Sequence, residues 1–132
     1  MNYLSIDLWT KRCWIAYTVE GIIFTTPWVP RFNLINNLKK IILEKKIDVI
    51  IVWMPYDLYW IDKKQLEKTK NFVNKLKQIF KQIKIDIEDE RFTTYESINI
   101  LNKYEKKENI LDKKDSLSAF LILESYLNKI ET

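Results

Sequence analysis

The sequence predicts an α/β fold: a mixed five-stranded sheet, with a three-strand antiparallel meander and two parallel strands, flanked by helices. Three observations carry this. Three runs rich in β-branched and aromatic residues lie between Asn2 and Thr26, joined by short turns. Two stretches with apolar residues at helical spacing follow, each ahead of a further β-type run. A last, strongly apolar helix closes the pattern. Meander followed by alternating helix and strand implies a sheet with helices on its faces.

Each element has its own signal. Asn2 to Leu8 (NYLSIDL) and Cys13 to Val19 (CWIAYTV) read as strands, and Glu20-Gly21 makes a tight turn into Ile22 to Thr26. Pro27 and Pro30 bracket a loop. From Asn33 to Lys45, Leu34, Leu38, Ile41 and Ile42 recur at helical spacing. Asp48 to Met54 (DVIIVWM) is a continuous apolar run, as expected of a parallel strand buried on both faces, and Pro55 stops it. Asp62 with Gln65 resembles a helix cap, ahead of an apolar stripe of Leu66, Val73, Leu76, Phe80 and Ile83. Ile83, Ile85 and Ile87 alternate with Lys84, Asp86 and Glu88, a strand signature. Thr93 with Glu96 is a second capping box, opening a short helix to about Asn102. Lys103 to Lys114 reads as a charged loop without periodicity. Asp115 to Ile130 is a closing helix whose LSAFLIL stretch is apolar nearly all round and should be well buried. The order is β-β-β-α-β-α-β-α-α. Strands that follow helices should run parallel to the first, with the 48–54 strand beside it.

Composition narrows the function. A chain of 132 residues, 47% hydrophobic and 30% charged, fits one soluble globular domain spanning 1–132. No run approaches the ~18 apolar residues of a membrane span, and the N-terminus has no signal-peptide pattern. With a single cysteine, Cys13, an intrachain disulfide is excluded and a cytoplasmic setting expected. A net charge of +4 favours an anionic partner such as nucleic acid. The absence of histidine (0 in the chain) excludes Ser-His-Asp and Cys-His catalysis and His-ligated zinc. Enzymatic chemistry would have to rest on carboxylates, alone or with hard metals held by oxygen.

Acids fall where such chemistry is possible. Asp7 ends the first strand, Asp89-Glu90 ends the last, and Asp115 starts the closing helix. In α/β sheets, sites gather beyond the carboxyl ends of strands. Acids meeting there share a proton or hold a cation, and Mg²⁺ or Mn²⁺ matches all-oxygen donors. A pair of such ions activates water and stabilises the leaving oxygen of a phosphodiester. A plainer reading stands beside this one: Asp115 as a helix N-cap and Asp89-Glu90-Arg91 as a solvated charge cluster. Arg91 suits a phosphate or a salt bridge to Glu88 or Asp89. Lys11 and Arg12, in the turn after Asp7, suit backbone contacts, and the lysines of 103–114, Lys113 and Lys114 among them, add sequence-independent attraction.

The segments IDLWTKRCWIA, VIIVWMP, DERFTT and KKDSLSAFLILESYL resemble, in order and approximate spacing, the bacterial Holliday-junction-resolvase-like family, also described as pre-16S ribosomal RNA nucleases. The resemblance covers nearly the whole chain, and DERFTT is its most specific part. It implies a ribonuclease H-like fold and a metal-dependent nuclease maturing the 5′ end of small-subunit ribosomal RNA. By position it implies Asp7, Asp89, Glu90 and Asp115 as catalytic acids, with Asp7, Glu90 and Asp115 as the metal set. Neighbouring strand side chains point oppositely, so the choice between Asp89 and Glu90 stays open. The implied partner is ribosomal RNA precursor or another structured nucleic acid, bound by a monomer or weak homodimer.

One feature departs from the family pattern. Trp9 and Trp14 stand where the family has glycine, as do Trp53 and, by position, Trp60, in a chain with five tryptophans and one glycine. The codon UGA, read as tryptophan in some bacterial codes and as glycine in others, would produce this bias. A bulky residue forced into a left-handed turn would cost roughly 1–2 kcal/mol, and an indole near Asp7 could obstruct substrate. The alternative function is therefore a catalytically impaired nucleic-acid-binding or ribosome-assembly protein of the same fold.

Overall fold

Antiparallel pairing opens the chain. The structure, a computed structural model, describes residues 1–54, 63–88 and 111–131, and within the last of these the side chains of 118–130. β1 (Tyr3–Leu8) pairs antiparallel with β2 (Arg12–Val19), and β2 with β3 (Ile22–Thr25). Glu20 and Gly21 form the two-residue connection with φ of 53° and 81°. Two positive φ values are the type I′ geometry that matches strand twist, and the lone glycine takes one of them.

β4 (Val29–Pro30) was expected to be loop. It pairs antiparallel with Arg12 and Cys13 of β2, a stretch that β3 does not reach, and so adds a sixth strand. Pro30 is tolerated because an edge position asks nothing of its missing N–H. A single 3₁₀ turn (Arg31–Asn33) leads into α1 (Leu34–Lys45). β5 (Val49–Trp53) then pairs parallel with β1, α2 (Lys63–Ile79) follows, and β6 (Lys84–Glu88) pairs parallel with β5. The order β3-β2-β1-β5-β6 puts β1 in the interior with β5 beside it, as expected.

α3 (Leu111–Glu131) starts four residues ahead of the expected Asp115. Leu111 to Lys114 are helical rather than loop, and Asp115 is not an N-cap. The charged residues there show no periodicity, yet Lys and Leu are good helix formers, and a helix nucleated on a buried segment propagates outward at little cost. The short helix expected over 93–102 lies outside the described residues. Among the described residues no helix is long and apolar enough to cross a membrane.

Strand alternation divides the core. Leu4, Ile6, Leu8, Ile50 and Val52 face α1 and α2, where Leu34, Leu38, Phe72 and Leu76 close the layer. Ala16, Val49, Ile51 and Trp53 face α3 through Ala119, Ile122, Leu123 and Tyr126. β6 breaks the expected pattern: Ile87 is 40% exposed while Glu88 is 1% exposed. α3 covers its polar face, and Lys129 Nζ donates to Glu88 Oε1 at 2.6 Å.

Nearby, the Tyr126 hydroxyl donates to Asp86 Oδ2 at 2.7 Å. Burial, and then this bond to a carboxylate, push the phenol above its ordinary value of 10.0. The folded state therefore holds that proton more tightly than the unfolded chain. Its contribution is complete below about pH 10 and is lost as pH climbs past that value toward the folded pKa. The urea midpoint should fall between about pH 9 and about pH 11, and fall less in Tyr126→Phe. Equal losses in both proteins would show the phenol uninvolved.

Candidate active site

β1 ends an apolar run with a carboxylate because alternation turns Ser5 and Asp7 to the α3 face while Leu4, Ile6 and Leu8 fill the other core. Asp7 is 5% exposed. Two hydroxyl contacts fix α3 over this strand. Ser5 Oγ donates to the Ala119 carbonyl at 2.7 Å, and Ser118 Oγ donates to Asp7 Oδ2 at 2.6 Å. The second holds the carboxylate in one orientation.

Indoles flank Asp7 within the sheet. Trp14 is its register partner on β2. Trp53 sits one step beyond the Ile6↔Val52 pair, on the β5 side. Trp9 and Trp53 pack with ring centroids 6.4 Å apart, and Trp9 and Trp14 join the α3-facing core. The expected backbone strain is absent: among the described residues only Glu20, Lys46 and Gly21 have positive φ. Trp14 and Trp53 lie in strands, whose extended backbone any residue adopts. The cost at position 14 is of another kind, because Trp14 Nε1 is buried without a hydrogen-bond partner, worth roughly 1–3 kcal/mol. Trp60 lies outside the described residues.

The remaining predicted residues fall as follows. Asp115 is in α3, three residues before Ser118, so helical spacing puts positions 115, 118 and 122 on one face. Lys113 and Lys114 are in the first turn of the same helix. Glu88, register partner of Trp53, immediately precedes Asp89. Because β1, β5 and β6 run parallel, their carboxyl ends share one edge of the sheet. Asp89, Glu90 and Arg91 themselves lie outside the described residues. Lys11 and Arg12 are exposed in and just after the turn that follows β1. Among the described residues no three metal-ligating side chains gather. The donors seen around Asp7, carboxylate and hydroxyl oxygens, are the hard type that suits Mg²⁺ or Mn²⁺.

Sequence reasoning missed Ser118 and Arg31. Ser118 had one available signal, its three-residue spacing from Asp115 in an otherwise apolar segment. Arg31 Nη1 donates to the Trp9 carbonyl at 3.1 Å, and its backbone N–H donates to the Lys11 carbonyl at 2.9 Å. Together they pin the turn after Asp7.

Three proteins named "Putative pre-16S rRNA nuclease" are similar to this chain. One from Buchnera aphidicola subsp. Baizongia pistaciae is 41% identical over 132 residues, covering 96% of each chain. One from Aster yellows witches'-broom phytoplasma is 35% identical over 136 residues, covering 97% of this chain and 89% of that protein. One from Fusobacterium nucleatum is 29% identical over 133 residues, covering 96% of each. The family model described as RuvX, Holliday junction resolvase, matches residues 1–129, and with the ribonuclease H-like mixed sheet in place the chain belongs to that family.

Proposed function

We propose that this protein is a nuclease hydrolysing phosphodiester bonds of pre-16S ribosomal RNA in the cytoplasm, acting as a single domain that is monomeric or weakly dimeric. The observation that carries the reading is Asp7: a buried carboxylate at the carboxyl end of an interior strand, held by Ser118 one helical turn from Asp115. The names of the relatives supply the substrate class.

Asp7, Asp115 and one of Asp89 or Glu90 are the acids that would hold Mg²⁺ or Mn²⁺. A divalent ion there supplies charge for activating a water and for stabilising the leaving oxygen. Ser118 keeps Asp7 from rotating, so the carboxylate is preorganised rather than ordered at each turnover. Lys11 and Arg12 meet phosphates upstream or downstream of the scissile bond, and Arg91, Lys113 and Lys114 add to that field. The indoles of Trp9 and Trp53 exclude water from the flank of Asp7.

A second reading has an observation of its own. Three indoles crowd Asp7, as they would in a protein that binds structured RNA without cutting it. The test is incubation of precursor RNA with the protein, with and without Mg²⁺ or Mn²⁺. Ion-dependent cleavage is expected. Binding without cleavage under either ion would select the second reading.

A further inference from the structure

Next to the turn that follows Asp7, two open cavities of about 420 and 560 Å³ share Arg31 and Phe32 as a common wall. Lys68, Phe72 and Lys75, on one face of α2, line the first; Lys11, Arg12 and Trp28 line the second. Together they form one groove that, among the described residues, has five cations and no carboxylate along it. Among the described residues none of the five is in an ion pair. Two guanidiniums already rest on rings: Arg12 lies 4.7 Å from the Trp28 centroid and Arg31 5.2 Å from that of Phe72. Such cation–π contacts hold them in place before any ligand arrives.

Phe32 is the anomaly. It is 92% exposed, on a short 3₁₀ turn whose backbone is bonded to Lys11, so its ring is presented without being packed. A lone exposed aromatic needs no explanation. One ringed by unpaired cations has the composition of a single-strand binding surface, where bases stack on aromatic faces and cations follow the phosphates.

We propose that this groove binds an unpaired segment of the nucleic-acid substrate, with Phe32 stacking on one base and Lys11, Arg12, Arg31, Lys68 and Lys75 tracking its backbone. In naming RNA as the ligand the proposal rests on the nuclease reading above. A duplex keeps its bases stacked inside, so the ring discriminates in favour of unpaired strands. The Arg31 bond to the Trp9 carbonyl ties the groove wall to the turn two residues past Asp7. An unpaired flank seated there would lead directly to the candidate cleavage point.

The test is fluorescence anisotropy with a labelled oligouridylate and a labelled RNA hairpin, without divalent ions so that nothing is cut. The oligouridylate should bind more tightly. Phe32→Ala should weaken it about tenfold and leave hairpin binding unchanged, while Phe32→Trp retains affinity. Lys68→Ala and Lys75→Ala should each flatten the salt dependence. Wild-type affinity in Phe32→Ala, equal loss on both probes, or no binding to either would overturn the proposal. Ring-dependent binding by a protein that cuts no RNA would keep the groove and remove the nuclease. Cleavage with ring-independent binding would do the reverse.

Discussion

Asp7→Asn is expected to lower cleavage of precursor RNA by about a hundredfold or more, since in the proposed mechanism it would remove a charge that holds the metal, worth several kcal/mol of transition-state stabilisation. The substitution barely changes size, and the amide oxygen can still accept from Ser118. The thermal midpoint should therefore hold while activity is lost, which separates chemistry from folding. Asp115→Asn should behave alike. Single-turnover cleavage in Mg²⁺ is the measurement. Wild-type rates in both variants, or cleavage surviving chelation, would refute carboxylate-held metal as the mechanism.

Trp53→Gly should destabilise the fold by about 3–5 kcal/mol, since it empties a large site in the α3-facing core and puts glycine inside a strand. Trp53 is 8% exposed and its ring packs against Trp9. For a chain of this size the thermal midpoint should drop by about 10 °C or more. Trp14→Gly should cost less, because removing that half-buried indole also removes its buried, unpartnered Nε1. A higher midpoint in Trp53→Gly would mark the indole as a misfit at a glycine position. UGA codons at positions 9, 14, 53 and 60 would then explain the chain's Trp-rich, Gly-poor bias.

The architecture was readable where a segment had one physical solution. VIIVW, apolar at every position, had to be buried on both faces, and Glu20-Gly21 between two β runs had to be a hairpin turn. β4 was not readable, because a two-residue pairing ending in proline carries no local signal. Nor was the start of α3, where helix continues through residues with no apolar stripe. At the site, an acid ending an apolar strand singled out Asp7. The burial of Glu88 depended on Lys129, 41 residues away, and the hold on Asp7 depended on Ser118. No window on the sequence spans those distances. The strain argued for Trp9, Trp14 and Trp53 failed because it assumed left-handed backbone at positions that are not left-handed.

The Asp7–Ser118 bond joins residues 111 positions apart. Synthesis runs from the N-terminus, so the six strands among the described residues, which end at Glu88, leave the ribosome before Ser118 does. A nascent chain at that stage lacks the Ser118 hydroxyl that donates to Asp7, and one face of the sheet still lacks α3. The grip on Asp7 that the proposed chemistry uses thus forms only once α3 has been made and has docked on the sheet.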